Sequence, residues 1–109
     1  MHRWQLFGRE ADMATYIVLG QFTDQGIRNV KETGKRAEAL KETAKRFGAT
    51  VKEVYWTLGH YDVATIVEAP DDASATAFLL SVAALGNVRT QSLRAFSAGE
   101  MDQILGKMT

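Results

Sequence analysis

Apolar residues recur along this chain in two spacings. They alternate with polar residues or form short runs in some segments, and they return every three or four positions in others. Alternation and runs rich in β-branched or aromatic residues predict four strands, at residues 14–23, 49–58, 63–67 and 88–97. The third run is bounded by Gly59 and by Pro70-Asp71-Asp72 and is mostly apolar without alternation, which is typical of a strand buried on both faces.

Strict alternation in the second strand predicts which of its side chains share a face. One face should carry Lys52, Val54, Trp56 and Leu58, and the other Val51, Glu53, Tyr55 and Thr57. The charges near the start of this strand indicate the edge of a sheet. A tight reversal at Gly59-His60 should then join it to the third strand as a hairpin.

The three-and-four spacing predicts a first long helix at about residues 33–47. Its apolar stripe consists of Ala37, Leu40, Ala44 and Phe47, and Gly48 follows as a stop signal. The segment 24–32 before it is polar and has no clean periodicity.

Two further helices are predicted from their caps. Asp71 or Asp72 should cap a second long helix that runs to Leu85. The spacing of Ser97 and Glu100 is that of a capping box, which opens a short helix to about residue 105.

The order strand, helix, strand, strand, helix, strand predicts an α+β fold of the ferredoxin-like βαββαβ type. This fold is a four-stranded antiparallel sheet with two helices on one face, here followed by the short C-terminal helix. The strands carry large apolar residues on both faces, and no helix is predicted for the second face. We therefore expect a homodimer in which a second copy covers that face.

Composition narrows the function classes. Thirteen basic and thirteen acidic side chains cancel, so neither nucleic acid nor a membrane surface is an expected partner. The chain has no cysteine and no apolar stretch long enough to span a membrane, and we expect a cytoplasmic protein. Because Met13 stands just before the first strand, residues 1–13 are interpreted as an N-terminal extension and residues 14–109 as the single domain.

The predicted topology brings polar residues together at one end of the sheet, where strand one ends and strands three and four begin. The predicted mouth of a pocket collects Thr23, Asp24, Gln25, Gly26, Arg28, His60, Tyr61, Asp62, Asn87, Arg89 and Thr90. The catalytic candidates are His60, Tyr61, Asp62 and Arg89, and the ligand-binding candidates are Thr23, Gln25, Gly26, Arg28, Tyr61, Asp62, Arg89 and Thr90. At the opposite end lie Glu68 and Arg94, two further candidates.

The chemistry of the main candidates has two interpretations. Asp62 beside Arg89 could bind or polarise a small oxygenated ligand, or the two could form a fixed ion pair after a turn. Tyr61 could donate to a carbonyl oxygen, or it could simply pack at the sheet rim. His60 could act as a general base, or it could be a solvent-exposed turn residue.

Glu68 stands in an otherwise apolar strand, so it should be paired, with Arg94 as a candidate partner, or be protonated.

Metal and cofactor sites are not expected. Two histidines without cysteine do not supply three or four converging ligands, the glycines lack phosphate-loop spacing, and His60 at a turn suits a haem ligand poorly.

The chain also resembles a known family in a series of ordered blocks. They are Thr23, Gln25-Gly26-Ile27, Lys35-Arg36-Ala37, Gly59 with Tyr61-Asp62, Ile66-Val67-Glu68-Ala69-Pro70-Asp71-Asp72, Gly86-Asn87-Val88-Arg89-Thr90, Leu93-Arg94-Ala95-Phe96 and Glu100-Met101. Together they resemble the GYD domain family over about residues 14–105, with His60 between the namesake Gly and Tyr-Asp. The resemblance implies membership of the dimeric α/β-barrel superfamily, which includes cofactor-free monooxygenases, muconolactone isomerases and ligand-binding domains of transcription regulators.

Three functions are compatible with these observations. The first is a homodimeric protein that binds an unidentified small molecule at the sheet end bearing Tyr61, Asp62 and Arg89. The second is a cofactor-free monooxygenase or isomerase acting on a small oxygenated or aromatic metabolite. The third is a structural module that forms higher oligomers. The sequence leaves open whether the protein is an enzyme, because a fold of this kind hosts many functions.

Overall fold

The computed structural model describes residues 13–108, in which the predicted strands and long helices follow one another in the predicted order. The elements are β1 (Ala14–Phe22), α1 (Asp24–Arg28), a 3₁₀ turn (Val30–Glu32), α2 (Thr33–Lys45), β2 (Thr50–Trp56), β3 (Val63–Ala69), α3 (Asp72–Ala83), β4 (Val88–Ala95) and α4 (Ala98–Gly106). The segment for which the sequence showed no periodicity thus contains the short helix α1 and the 3₁₀ turn. The expectation for the N-terminal extension falls largely on residues 1–12, which lie outside the described residues.

The four strands form one antiparallel sheet in the order β2-β3-β1-β4. This is the strand order of the ferredoxin-like fold, so the predicted fold class is confirmed. β1 lies in the interior of the sheet, where Ile17 pairs with Ile66 of β3 on one side and with Leu93 of β4 on the other.

The core lies between the sheet and helices α2 and α3. Tyr16 and Val18 of β1 and Val67 of β3 point to this side and are buried. They pack with Ala44 of α2 and Phe78 of α3, both with no exposed surface. The alanines on the helices let them approach the sheet closely.

The local signals at the helix ends are confirmed. The Asp71 side chain accepts a hydrogen bond from the Ser74 amide at 2.7 Å and caps α3. Ser97 and Glu100 form the predicted capping box of α4. Gly48 ends the turn after α2 with a φ of 70°, a left-handed conformation that favours glycine.

The predicted faces of β2 are partly wrong. The pairing register between β2 and β3 shifts between Val51 and Glu53, so that Lys52 forms a bulge. Beyond the bulge the alternation is displaced by one residue, and Val51 joins Val54 and Trp56 on the helix side.

The second face of the sheet carries no helix in the described part of the chain. Ile66, Ile17 and Leu93 lie side by side across β3, β1 and β4. Ile17 is 36% exposed and Leu93 is 42% exposed. The apolar, uncovered face is therefore present, while its coverage by a second copy stays a prediction.

None of the helices within residues 13–108 is long and apolar enough to cross a membrane.

Candidate functional site

Three predicted ligand-binding residues in the loop after β1 hold that loop against the turn before β4. The Thr23 amide donates to the Asn87 carbonyl at 3.1 Å, and the Thr23 hydroxyl donates to the Gly86 carbonyl and accepts from the Gly26 amide. The Gln25 side chain donates to Asn87 Oδ1 at 2.9 Å. A Cβ on Gly26 would stand 2.0 Å from the Asn87 carbonyl oxygen, so only glycine fits. We call these five residues the loop clasp.

The namesake Tyr61-Asp62 pair is also engaged within the fold. Asp62 Oδ2 accepts a hydrogen bond from the Phe22 amide at 2.8 Å, which ties the loop between β2 and β3 to the end of β1. The Tyr61 hydroxyl donates to the side-chain oxygen of Gln91 on the helix-free face of the sheet. His60 lies edge-on to Tyr61 with ring centroids 5.1 Å apart.

The predicted partners Asp62 and Arg89 do not form an ion pair within residues 13–108. Arg89 pairs with Gln21 across the sheet, which places its side chain on the helix-free face. Thr90, the next residue in β4, therefore points to the helix side of the sheet. Arg28, another predicted ligand-binding residue, lies exposed in the last turn of α1. A catalytic role for Tyr61, Asp62, Arg89 or His60 stays a prediction.

At the other end of the sheet, Glu68 and Arg94 lie on opposite faces. Glu68 pairs with Thr15 in the sheet register, whereas Arg94 pairs with Tyr16 one residue further along β1. The expected contact between them is therefore absent. Glu68 lies 4.0 Å from the Lys52 ammonium, and Arg94 lies 3.8 Å from Glu100.

Tyr16 is a titratable group whose environment the sequence did not reveal. Its side chain is buried on the helix side, and its hydroxyl donates to the carboxylate of Asp72, which is exposed. Burial, followed by the hydrogen bond to Asp72 and then by the charge of that carboxylate, raises the pKa of Tyr16 to about 12. The group is therefore a fixed donor at neutral pH rather than a base.

A cavity of about 170 Å³ lies between the sheet and helices α2 and α3. Most of its wall is apolar, with contributions from Phe22, Leu40, Val67 and Phe78. It reaches the end of the sheet where β1 ends and β3 and β4 begin, the end at which a pocket was predicted. Of the residues predicted at this end, Asn87 and Thr90 line the cavity. Thr23, Arg89 and Thr90 line a second, more open depression beside α3.

Three of the polar groups of the cavity come from the first turn of α2 and the end of β2. Arg36 donates to the Asn29 and Gly26 carbonyls at 2.8 and 3.2 Å and stacks over Phe22, 5.7 Å from the ring centroid. The Trp56 indole nitrogen donates to the Thr33 hydroxyl at 2.9 Å. We call Thr33, Arg36 and Trp56 the polar rim.

Of the polar rim, sequence reasoning missed Thr33 and Arg36 as site residues. Arg36 stands directly before Ala37, the start of the apolar stripe of α2. That position at the edge of a buried stripe was the available signal, because an arginine there can lay its stem on the core and keep its head near the surface. Within residues 13–108, no group of three or more His, Cys, Asp or Glu side chains is arranged to hold a metal ion.

The family model described as "GYD domain" matches residues 16–105. The chain belongs to the GYD domain family. A relative of this GYD-domain protein in Thermus thermophilus is named "Glutamine synthetase and cystathionine beta-lyase binding protein". The two sequences are 33% identical over 90 residues, which cover 82% of this chain and 95% of the relative.

Solved structures resemble the GYD-domain protein in fold. The crystal structure of the Thermus thermophilus protein TTHA0845 is 30% identical, with a TM-score of 0.52 over 79% of this chain and 96% of that one. A feast or famine regulatory protein from M. tuberculosis, complexed with L-methionine, has a TM-score of 0.62 at 17% identity. The match covers 86% of this chain and 55% of the regulator, so this chain spans about half the regulator's length, and the likeness concerns the fold alone.

Proposed function

We propose that this GYD-domain protein is a homodimeric small-molecule-binding protein whose ligand occupies the cavity between the sheet and helices α2 and α3. The observation that carries the proposal is the cavity, with its volume of about 170 Å³. An engineered apolar cavity of about 150 Å³ binds benzene, so this one is large enough for a molecule of about one ring. An apolar wall with a few polar groups at one end is the usual composition of a small-molecule site.

The test of ligand binding fills the cavity. Ala37→Leu adds bulk to a half-buried residue in the cavity wall, whereas Ala73→Leu makes the same change at an exposed position of α3 outside it. A thermal-shift screen with small one-ring compounds should give hits for the wild type and Ala73→Leu. Those hits should be lost in Ala37→Leu. Hits that survive in Ala37→Leu would contradict a ligand in this cavity.

The proposed dimer joins two sheets through their helix-free faces. The row of Ile66, Ile17 and Leu93 supplies an apolar centre, and Glu53 and Arg89 lie toward the edges of the face. An apolar centre with a polar rim is the usual anatomy of a protein interface. The helices form the second layer on the other face of the sheet, so a second copy would supply the cover that this exposed apolar face lacks within residues 13–108.

Light scattering tests the dimer. The wild type should have twice the chain mass of 12.0 kDa, and Leu93→Glu should be monomeric because it places a charge in the apolar centre. Ala73→Glu, on an exposed part of α3, is the control and should remain a dimer. A monomeric wild type would refute the proposed assembly.

A second candidate function is docking on another protein, favoured by the relative named for binding two enzymes. The surface that supports it is the apolar stripe of Met101 and Leu105 on α4, continued by Met108. These residues are 43%, 49% and 75% exposed, and their spacing puts them on one side of a helix. Helices with such a stripe bind apolar grooves on partner proteins.

The partners to test are glutamine synthetase and cystathionine β-lyase, each purified from the organism that encodes this GYD-domain protein. Leu105→Glu should abolish capture of the immobilised enzyme, and Gln103→Glu, at a neighbouring exposed position of the same helix, should not. Light scattering must show that both variants keep the wild-type mass. If Leu105→Glu instead dissociates the protein into monomers, the stripe belongs to the interface between two copies.

A further inference from the structure

The cavity wall carries one formal positive charge and no negative charge. Arg36 is the cation, and none of the lining residues in the described part of the chain is an Asp or a Glu. Arg36 also lies more than 4.0 Å from every carboxylate within residues 13–108. An otherwise apolar cavity with an unbalanced cation is complementary to a molecule with an apolar body and one anionic group.

The donors of the polar rim are already oriented. Arg36 uses two of its N–H groups for the Asn29 and Gly26 carbonyls, which hold the guanidinium in place. A guanidinium has five N–H donors, so three are left over. The Thr33 hydroxyl accepts from Trp56 and keeps its own hydrogen to donate. Two kinds of donor therefore stand at one end of the cavity.

The start of helix α2 adds to this preference for an anion. Thr33 and Arg36 both lie in the first turn of the 13-residue helix. The N-cap residue Glu32 makes no side-chain hydrogen bond to the first amides of α2, although the Thr33 amide donates to the Val30 carbonyl of the preceding 3₁₀ turn. The positive end of the helix dipole therefore acts in the same direction as the Arg36 charge.

We propose that the ligand is a small monocarboxylate with an apolar body of about one ring. This inference rests on the proposed function and names the ligand class of that site. The carboxylate binds Arg36 and the Thr33 hydroxyl, because a planar guanidinium matches a carboxylate with two parallel hydrogen bonds. The apolar body lies among Leu40, Val67 and Phe78 in the interior of the cavity.

Calorimetric titration of the full-length protein compares matched acids and amides: benzoate with benzamide, phenylacetate with phenylacetamide, and cyclohexylacetate with its amide. At low salt, the acids that bind most tightly should have dissociation constants about tenfold lower than those of their amides. This is the usual difference for a hydrogen bond to a charged group. Added salt should narrow that difference. Arg36→Gln should remove it by weakening the acids to the level of the amides.

Arg46→Gln is the matched control, since Arg46 also stacks on a phenylalanine, Phe47, but lies outside the cavity wall. It should leave the difference between acid and amide unchanged. If the Arg36→Gln variant does not fold, two measurements on the wild type still test the carboxylate class. They are the ratio of acid affinity to amide affinity and the fall of that ratio as salt is added.

Two results would overturn the inference in different ways. Equal affinity of the wild type for acids and amides, with loss of both in Ala37→Leu, would refute the carboxylate class and leave the proposed function standing. Binding of no acid and no amide at millimolar concentration would refute both proposals.

Discussion

Gly26→Ala tests whether the loop clasp controls the stability of the fold. The added Cβ would lie 2.0 Å from the Asn87 carbonyl oxygen and 2.9 Å from its carbonyl carbon. Ordinary contact begins near 3.4 Å, so the backbone of one partner must withdraw by more than 1 Å. Both neighbours are backbone atoms, and no side chain can rotate away to relieve the contact.

The cost has two parts. Overpacking a close contact typically destabilises a protein by about 1–3 kcal/mol. Separation of the two segments also weakens the hydrogen bond from the Thr23 amide to the Asn87 carbonyl, worth about 1 kcal/mol. We expect a loss of about 2–4 kcal/mol in the free energy of unfolding, or a fall in melting temperature on the order of 10–20 °C.

Gly34→Ala is the matched control. Gly34 lies in α2 and has no heavy atom within 4 Å of an added Cβ, so alanine should stabilise the helix by about 0.5–1 kcal/mol. Both variants and the wild type are melted at one protein concentration, because dimerisation would shift the apparent stability. If Gly26→Ala melts at or above the wild-type temperature, the close approach of the two segments does not constrain the protein.

Three further predictions concern single side chains. Asp62→Ala should cost about 1–2 kcal/mol in urea unfolding, because it removes the acceptor of the Phe22 amide; unchanged stability would contradict the structural role. Hydrogen bonds from the start of α3 lower the pKa of Asp71, so the wild type should lose stability as the pH falls below about 4. Asp71→Asn, which caps without titrating, should lose less over that range. The Tyr16 pKa of about 12 lies above its usual 10.0, so the wild type should lose stability as the pH rises from about 10 to about 12. Tyr16→Phe should lack that alkaline loss while being about 1 kcal/mol less stable at neutral pH, since the bond to Asp72 is gone.

The sequence by itself determined the element order, the fold class and the caps of the later helices. Asp71, Ser97 and Gly48 act within three residues of their own positions, and such short-range signals can be read directly from the chain. The structure of the polar segment 24–32 was harder to predict from the sequence. Its helix α1 is only five residues long, too short for periodicity to appear.

Tertiary structure decided which side chains meet. The bulge at Lys52 reassigns Val51, and the sheet register puts Glu68 and Arg94 on opposite faces. A shift of one residue turns a strand's side chains to the other face, and no local pattern fixes that shift. Arg36 and Trp56 reach the same cavity end from elements far apart in the chain. Their meeting depends on how closely the helices pack on the sheet, a property of the assembled core that no single segment of the sequence contains.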